Sequence, residues 1–207
     1  MKFLSFIFGR KIYYIFSYFI KLILISKGFK IGSNFYIEAI PKLKLNAKIN
    51  RIKIGDNVQI FGEIDIRTRE NGSIFIDDNS KIDHNCRFVA AREGKIYIGK
   101  NTNIAAGAMF NGGGDLIVGE NCIFGPRNIF NANEHNFKKD LNINEQGFTH
   151  KAISMGDDCW TGANVVVAKG VSISDKSIVG ANSFVNKDTE ENSINAGSPA
   201  KKIGYRK

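Results

Sequence analysis

A phase of six residues runs through most of this chain. An aliphatic residue comes first, Gly or another small or acidic residue second, and a small residue three positions further on. The pattern reads Ile54-Gly55…Val58, Ile76-Asp77…Ser80, Ile98-Gly99…Thr102, Val118-Gly119…Cys122 and Met155-Gly156…Cys159. It then continues without a break through Thr161-Gly162, Val167-Ala168, Ile173-Ser174 and Val179-Gly180. A sandwich has no reason to keep one short phase over such a length. The periodicity marks a solenoid in which each short strand stacks on the coil below.

If three segments make one triangular coil, the aliphatic and small residues point inward. The corners then need residues that tolerate a positive φ, and Gly or Asn relieves that strain. Corner dipeptides of this kind recur at Asp56-Asn57, Asp78-Asn79, Lys100-Asn101, Glu120-Asn121, Asp157-Asp158 and Ala181-Asn182. The starts at 54, 76 and 98 are one eighteen-residue coil plus four residues apart, so small corner loops are expected.

With this register the sequence resembles the hexapeptide-repeat acyltransferases over roughly residues 50 to 203. The resemblance implies an all-β fold, a left-handed parallel β-helix with one protruding loop. Spacing alone would not give that hand, since parallel crossovers are normally right-handed. Three regions follow: an apolar, aromatic and helical segment over 1–30, the β-helix over 31–203 with a loop at about 136–151, and a basic tail over 204–207.

The narrow core of a solenoid depends on neighbouring coils and on capped ends. Cys86, Cys122 and Cys159 all fall on the small inward position, and they read as buried small hydrophobes rather than as disulfide partners or metal ligands. That usage, with no A-x-A cleavage site, points to a reducing cytoplasmic compartment. Phe88, Tyr97, Met109 and Phe110 read as outward residues of a flat side, leaving apolar surface for subunit contact.

Residues 1–30 carry no six-residue phase. Lys21 interrupts their apolar stretch, and Ile12 to Ile25 falls short of the roughly 20 residues a spanning helix needs. Two readings stand: a helix that caps the solenoid or packs between subunits, or an interfacial helix at the inner face of the cytoplasmic membrane. In the second reading Lys2, Arg10, Lys11, Lys21, Lys27 and Lys30 lie near anionic headgroups. The net charge of +9 fits a phosphorylated cofactor, an anionic glycan or a membrane surface. No nucleic-acid binding module is recognisable.

The phase breaks between Phe130 and Met155, and chemistry is expected there. Phe124-Gly125-Pro126-Arg127-Asn128-Ile129-Phe130-Asn131-Ala132-Asn133-Glu134-His135 is similar to the stretch in galactoside-type and surface-polysaccharide O-acetyltransferases where a coil ends in a histidine before a protruding loop. Acyl transfer to a hydroxyl needs a base near neutral pH, and His135 is the candidate. Asn131, Asn133 and Glu134 are candidates to orient the ring or the acceptor. His84 reads as a solvated or subunit-contact residue, and His150 receives no role. His84, His135 and His150 lack the spacing of a zinc site, which sets aside a γ-class carbonic anhydrase; no metal is expected.

Downstream, Asp158-Cys159-Trp160-Thr161-Gly162-Ala163-Asn164 resembles the family segment that flanks the pantetheine arm of coenzyme A. The resemblance implies that Ala163 and Ala181 hold the thioester and pantetheine through backbone N–H groups, with Trp160 and Gly162 as the wall. Lys187 and Lys201 match basic positions near the nucleotide phosphates. It also implies a homotrimer with active sites between subunits. In the sugar acetyltransferases an upstream asparagine binds the sugar; here that phase holds Ala105 and Gly107, with Asn103 and Asn111 out of step. Asn111, Asn133 and Glu134 are therefore the acceptor candidates. The function implied is acetyl-CoA-dependent O-acetylation of a sugar in a bacterial surface polysaccharide (capsule, O-antigen or exopolysaccharide) or its precursor. The alternatives are N-acetylation of an amino sugar and a non-catalytic β-helix scaffold.

Overall fold

The structure, a computed structural model, describes residue 9, residues 11–47 and residues 51–207. Lys2 and Arg10, named above for the interfacial reading, lie outside the described residues. The rest is a three-sided prism of parallel strands with one helix at its start. Face A stacks strands from Lys30–Ile31 to Ser172–Ile173, face B from Tyr36–Ile37 to Ser193–Ala196, and face C from Lys42–Leu45 to Phe184–Val185. About seven coils result.

The inward ladders show where the extra residues go. Ile54, Ile76, Ile98, Val118, Met155 and Ile173 pair in succession on face A. Each is followed six positions later by its counterpart on face B, Ile60, Ile82, Ile104, Phe124, Thr161 and Val179. Six further on come Ile66, Phe88, Phe110, Phe130, Val167 and Val185 on face C. The A–B and B–C edges thus keep strict phase in every coil. All the irregular length is at the edge joining face C back to face A, which holds residues 69–72, 91–94, 113–115 and, as the largest excursion, 132–152.

Two devices build the corners. Asn57, Asn79, Asn101, Asn121, Asp158 and Asn182 all have positive φ, between 51° and 60°. The repeat glycines do something else. A Cβ on Gly55 would lie 2.4 Å from Asp78 Oδ1, the oxygen that accepts the Asp56 backbone N–H at 2.8 Å. Glycine is required there by the coil beneath, while asparagine and aspartate absorb the turn. Corner asparagine amides also bond from coil to coil, Asn34 to Asn57 at 2.9 Å and Asn57 to Asn79 at 3.1 Å.

Cys86, Cys122 and Cys159 are buried in the column. Burial raises the Cys86 thiol to about 11, and the adjacent Cys159 together with burial pushes Cys122 up. A thiolate is the reactive species, so a maleimide should label none of the three in the folded protein and all three in denaturant; rapid native labelling would show that the column opens. Phe88 and Phe110 are not surface residues as expected above but fully buried, and only Tyr97 and Met109 of that set face outward. The inward phase on face C falls on 88 and 110, one position from Met109. Apolar surface instead appears on face B, where Ile123 and Trp160 are neighbours in the ladder and about half exposed.

Helix α1, Lys11–Ser26, lies across the first coil. It buries Ser17, Ile20 and Leu24, one stripe at helical spacing. The Ser17 hydroxyl accepts the Ile37 N–H at 2.8 Å and donates to the Ile37 carbonyl at 3.0 Å, so it pairs an edge strand that has no coil before it. Lys21 Nζ donates to the Gly32 carbonyl at 2.5 Å. Gly28, at φ 88°, ends the helix, with the Phe29 N–H returning to the Leu24 carbonyl. At the other end Lys201–Tyr205 pairs antiparallel with Ser193–Ala196, so the tail expected over 204–207 begins inside this closing strand. Arg206 is tied to Asp158 at 2.9 Å.

Candidate active site

The excursion at the C–A edge is a hairpin. Asn133–His135 pairs antiparallel with Phe148–His150, so His135 belongs to the hairpin itself, three residues after the end of the Phe130 rung's inward pair at Ala132. Gln146 fastens the loop from within, donating to the carbonyls of Leu141 at 2.8 Å and Lys138 at 3.0 Å. Lys169, from the same edge one coil on, pairs with Glu134 at 2.7 Å and ties the hairpin to the prism.

Hairpin and face C enclose a cleft of about 850 Å³. His135 lines it, its ring 4.1 Å from that of Phe148. Asn111, Asn131, Asn133 and Glu134 line it too. Asn111 donates to Asn131 Oδ1 at 2.9 Å, a rung-to-rung contact that fixes both amides toward the cleft. Asn111, out of step with the family's asparagine, is therefore at the cleft, whereas Ala105 and Gly107 lie at the B–C edge and Asn103 on face B. Val166, Phe184 and Phe148 give the cleft apolar ground; Arg69, Arg87 and Lys169 give it positive charge.

Under the floor the inward rings of Phe88, Phe110 and Phe130 stack, with centroids 5.1 and 5.5 Å apart. Phe124 meets Phe110 and Phe130 edge-on at 5.5 and 5.3 Å. The strand that leads into the hairpin thus rests on a close-packed aromatic column.

His150 belongs to the facing strand of the hairpin but points elsewhere. Its Nδ1 is buried against Gly113, where an added Cβ would come within 2.2 Å. Burial, with the Arg92 charge, lowers its pKa. His84 is on the B–C edge, exposed, 2.7 Å from Asp83. The three histidines do not converge, and among the described residues no His, Cys, Asp or Glu group could hold a metal ion.

The residues expected to hold coenzyme A lie away from this cleft. Trp160 is on face B, and Gly162, Ala163 and Ala181 are at the B–C edge. The coils stack backbone on backbone at that edge: a Cβ on Gly125 would lie 2.5 Å from the Gly162 carbonyl carbon, and one on Gly162 2.6 Å from Ala181 N. Lys187 and Lys201 line a smaller cleft of about 240 Å³ with Lys202. Glu190 engages Lys202 at 2.6 Å, while Lys187 and Lys201 have no acidic partner among the described residues, a setting suited to phosphate. Trp160 is not among the residues that line the cleft of His135.

Sequence reasoning missed Arg69, Arg87, Lys169 and Phe148. The signal for Arg87 was present: it is the rung partner of Met109, and hence an outward residue of face C. Arg69, Lys169 and Phe148 lie on the irregular edge, where the period gives no direction.

Residues 152–187 match the family described as the hexapeptide repeat of succinyl-transferase. The galactoside O-acetyltransferase of Lactococcus lactis subsp. lactis is 32% identical over 126 residues, which cover 58% of this chain and 60% of that one. This chain spans about 60% of the length of the galactoside O-acetyltransferases it matches. The polySia specific acetyltransferase NeuO is 27% identical, with a TM-score of 0.58 and 86% and 87% of the two chains covered. A mutant of AntD, an N-acyltransferase of Bacillus cereus solved in complex with dTDP and coenzyme A, shares the fold at 20% identity, with a TM-score of 0.58 and 90% and 89% covered. In repeat and in fold, the chain is similar to the hexapeptide-repeat acyltransferases.

Proposed function

We propose that this chain is a coenzyme A-dependent O-acetyltransferase, acting on a sugar hydroxyl of a bacterial surface polysaccharide or its precursor. The observation that carries the reading is His135 in a cleft floored by ordered asparagine amides, on a prism like those of the O-acetyltransferases. Acetyl-CoA, when bound, supplies the thioester. His135 takes the proton of the acceptor hydroxyl as its oxygen attacks the carbonyl, and returns that proton to the departing thiolate. Backbone N–H groups at the B–C edge stabilise the oxyanion. Lys187 and Lys201 hold phosphates, and Asn111 and Asn133 orient the acceptor.

Since Trp160 and Ala163 are not in the cleft of His135, the site is completed by a second copy, its face B against the hairpin of the first. The half-exposed Ile123 and Trp160 support a trimer built in this way. The test is thiol release from acetyl-CoA with a panel of surface glycans, nucleotide sugars and amino sugars. Release that depends on a glycan hydroxyl supports the proposal, and release only with an amino sugar would replace it by N-acetylation. If acetyl-CoA does not bind, the scaffold reading takes its place.

The outer face of helix α1 bears on where the enzyme works. Tyr14, Ile15, Tyr18, Phe19, Leu22 and Ile23 are all exposed there, and α1 carries no acidic residue. No described helix is long and apolar enough to cross a membrane. The two readings of the N-terminal segment are compatible, since one stripe caps the prism while the other is free to enter a lipid interface. We place the enzyme in the cytoplasm at the inner membrane face. It should co-sediment with vesicles containing anionic phosphatidylglycerol and less with neutral ones, and the double substitution Tyr18→Ser, Phe19→Ser should abolish this. Equal recovery with and without vesicles would refute membrane contact and leave these side chains to subunit packing.

A further inference from the structure

The cleft of His135 carries more positive charge than its own acids neutralise. Glu134 is the one carboxylate among its lining residues, and Lys169 already holds it at 2.7 Å. Arg69 lines the same cleft with no acidic partner among the described residues. Arg87 has only a share in Asp65. That carboxylate is gripped in a fork by Arg67, whose Nε and Nη2 reach Asp65 Oδ2 at 3.0 and 2.7 Å, while Arg87 Nε stays 3.6 Å away. Arg87 Nε is buried without a hydrogen bond. One carboxylate between two guanidinium groups leaves a full positive charge uncompensated beside the cleft, and such a charge is costly unless an anion meets it.

The position of Arg87 fixes what could accept. It is on the outward column of face C, paired with Met109, which pairs with Ile129 of the coil that leads to the hairpin. Two rungs separate Arg87 from that coil, about 10 Å at the usual strand spacing of about 4.8 Å. The floor carries Asn111 on the rung between and Asn131 on that coil itself. A sugar with its hydroxyl at His135 would extend along these amides toward the arginines.

We propose that Arg69 and Arg87 form an anion subsite of the acceptor cleft, so that the acceptor carries a carboxylate or phosphate near the hydroxyl that is acetylated. This deepens the O-acetyltransferase reading and rests on it for the identity of the ligand as an acceptor. Guanidinium groups match both anions by paired hydrogen bonds, which a lysine does not reproduce. The anion has two sources, an acidic sugar within the glycan or the diphosphate of a nucleotide sugar.

The test measures binding to the full chain by calorimetry, independently of turnover. The probes are oligomers of galacturonic acid and of sialic acid, each beside its methyl ester, and UDP-galactose. The native protein should bind an acid at least about tenfold more tightly than its ester, a preference that weakens as salt rises. Arg69→Gln with Arg87→Gln should bring the preference to within about twofold while coenzyme A affinity and the circular dichroism spectrum stay native. Arg87→Lys should retain part of it. Tight binding of UDP-galactose alone, lost in the double variant, would assign the subsite to the diphosphate. No acid preference together with no tight UDP-galactose binding in the native protein, or either one surviving the double substitution, would overturn the subsite. An intact preference without thiol release for any acceptor would instead sink the transferase reading and leave the anion site standing.

Discussion

His135→Ala is expected to lower acceptor-dependent thiol release by about 10²–10⁴-fold, the usual contribution of a positioned general base. The loss should fall on kcat, with coenzyme A affinity unchanged, because within its own chain the histidine touches no residue of the proposed coenzyme surface. Its ring meets Phe148 within the hairpin, whereas Trp160, Ala163, Ala181, Lys187 and Lys201 occupy face B, the B–C edge and the C-terminal cleft. His135 is exposed, so the variant should melt as the native protein does. Full activity in the variant would remove His135 from the mechanism. His150 is the control. Its buried nitrogen against Gly113 makes it a packing residue, and His150→Gln should act mainly on stability.

Phe110→Ala should cost about 3–5 kcal/mol of stability, the range for deleting a buried aromatic ring. Phe110 is fully buried and touches Phe88 below, Phe130 above and Phe124 at the side, so no neighbour can move into the gap without breaking its own stack. The damage should be local, since coils in a solenoid interact with their neighbours alone. The cleft is just above, so activity should be lost at temperatures where circular dichroism still reports strands. A change below about 1 kcal/mol would mean that the column is loosely packed and does not hold the floor rigid.

The prism was readable from its inward positions. Ile54, Ile76 and Ile98 announce the ladder because a solenoid enforces its core residue by residue, and the corner asparagines sit where the period put them. Phe88 and Phe110, expected on the outer side, point inward; the stacked rings show that the column accepts rings when successive coils supply them. His135, expected as the last residue of a coil before the loop, is instead part of the hairpin strand that starts at Asn133. Its surroundings were not legible. Arg69 and Lys169 are a hundred positions apart in the chain yet line one cleft, and only the coil count that brings them to the same edge reveals it. Glu134, read as a partner for the ring or the acceptor, is taken by Lys169, a contact between a hairpin and the following coil that no local spacing encodes.

Strict phase at two edges and freedom at the third divide the labour of the molecule. The A–B and B–C edges cannot gain a residue without throwing every later rung out of step, so the surface proposed for the common donor is held invariant by the geometry of stacking itself. The C–A edge already absorbs two, four or nineteen residues beyond the six-residue phase without disturbing either neighbour. Arg69, the hairpin and Lys169 all belong to it. Acceptor preference is thereby written where insertion is harmless. Loops exchanged at this one edge would retarget the catalyst while its donor site is inherited unchanged, an evolutionary dial that a designer could turn as well.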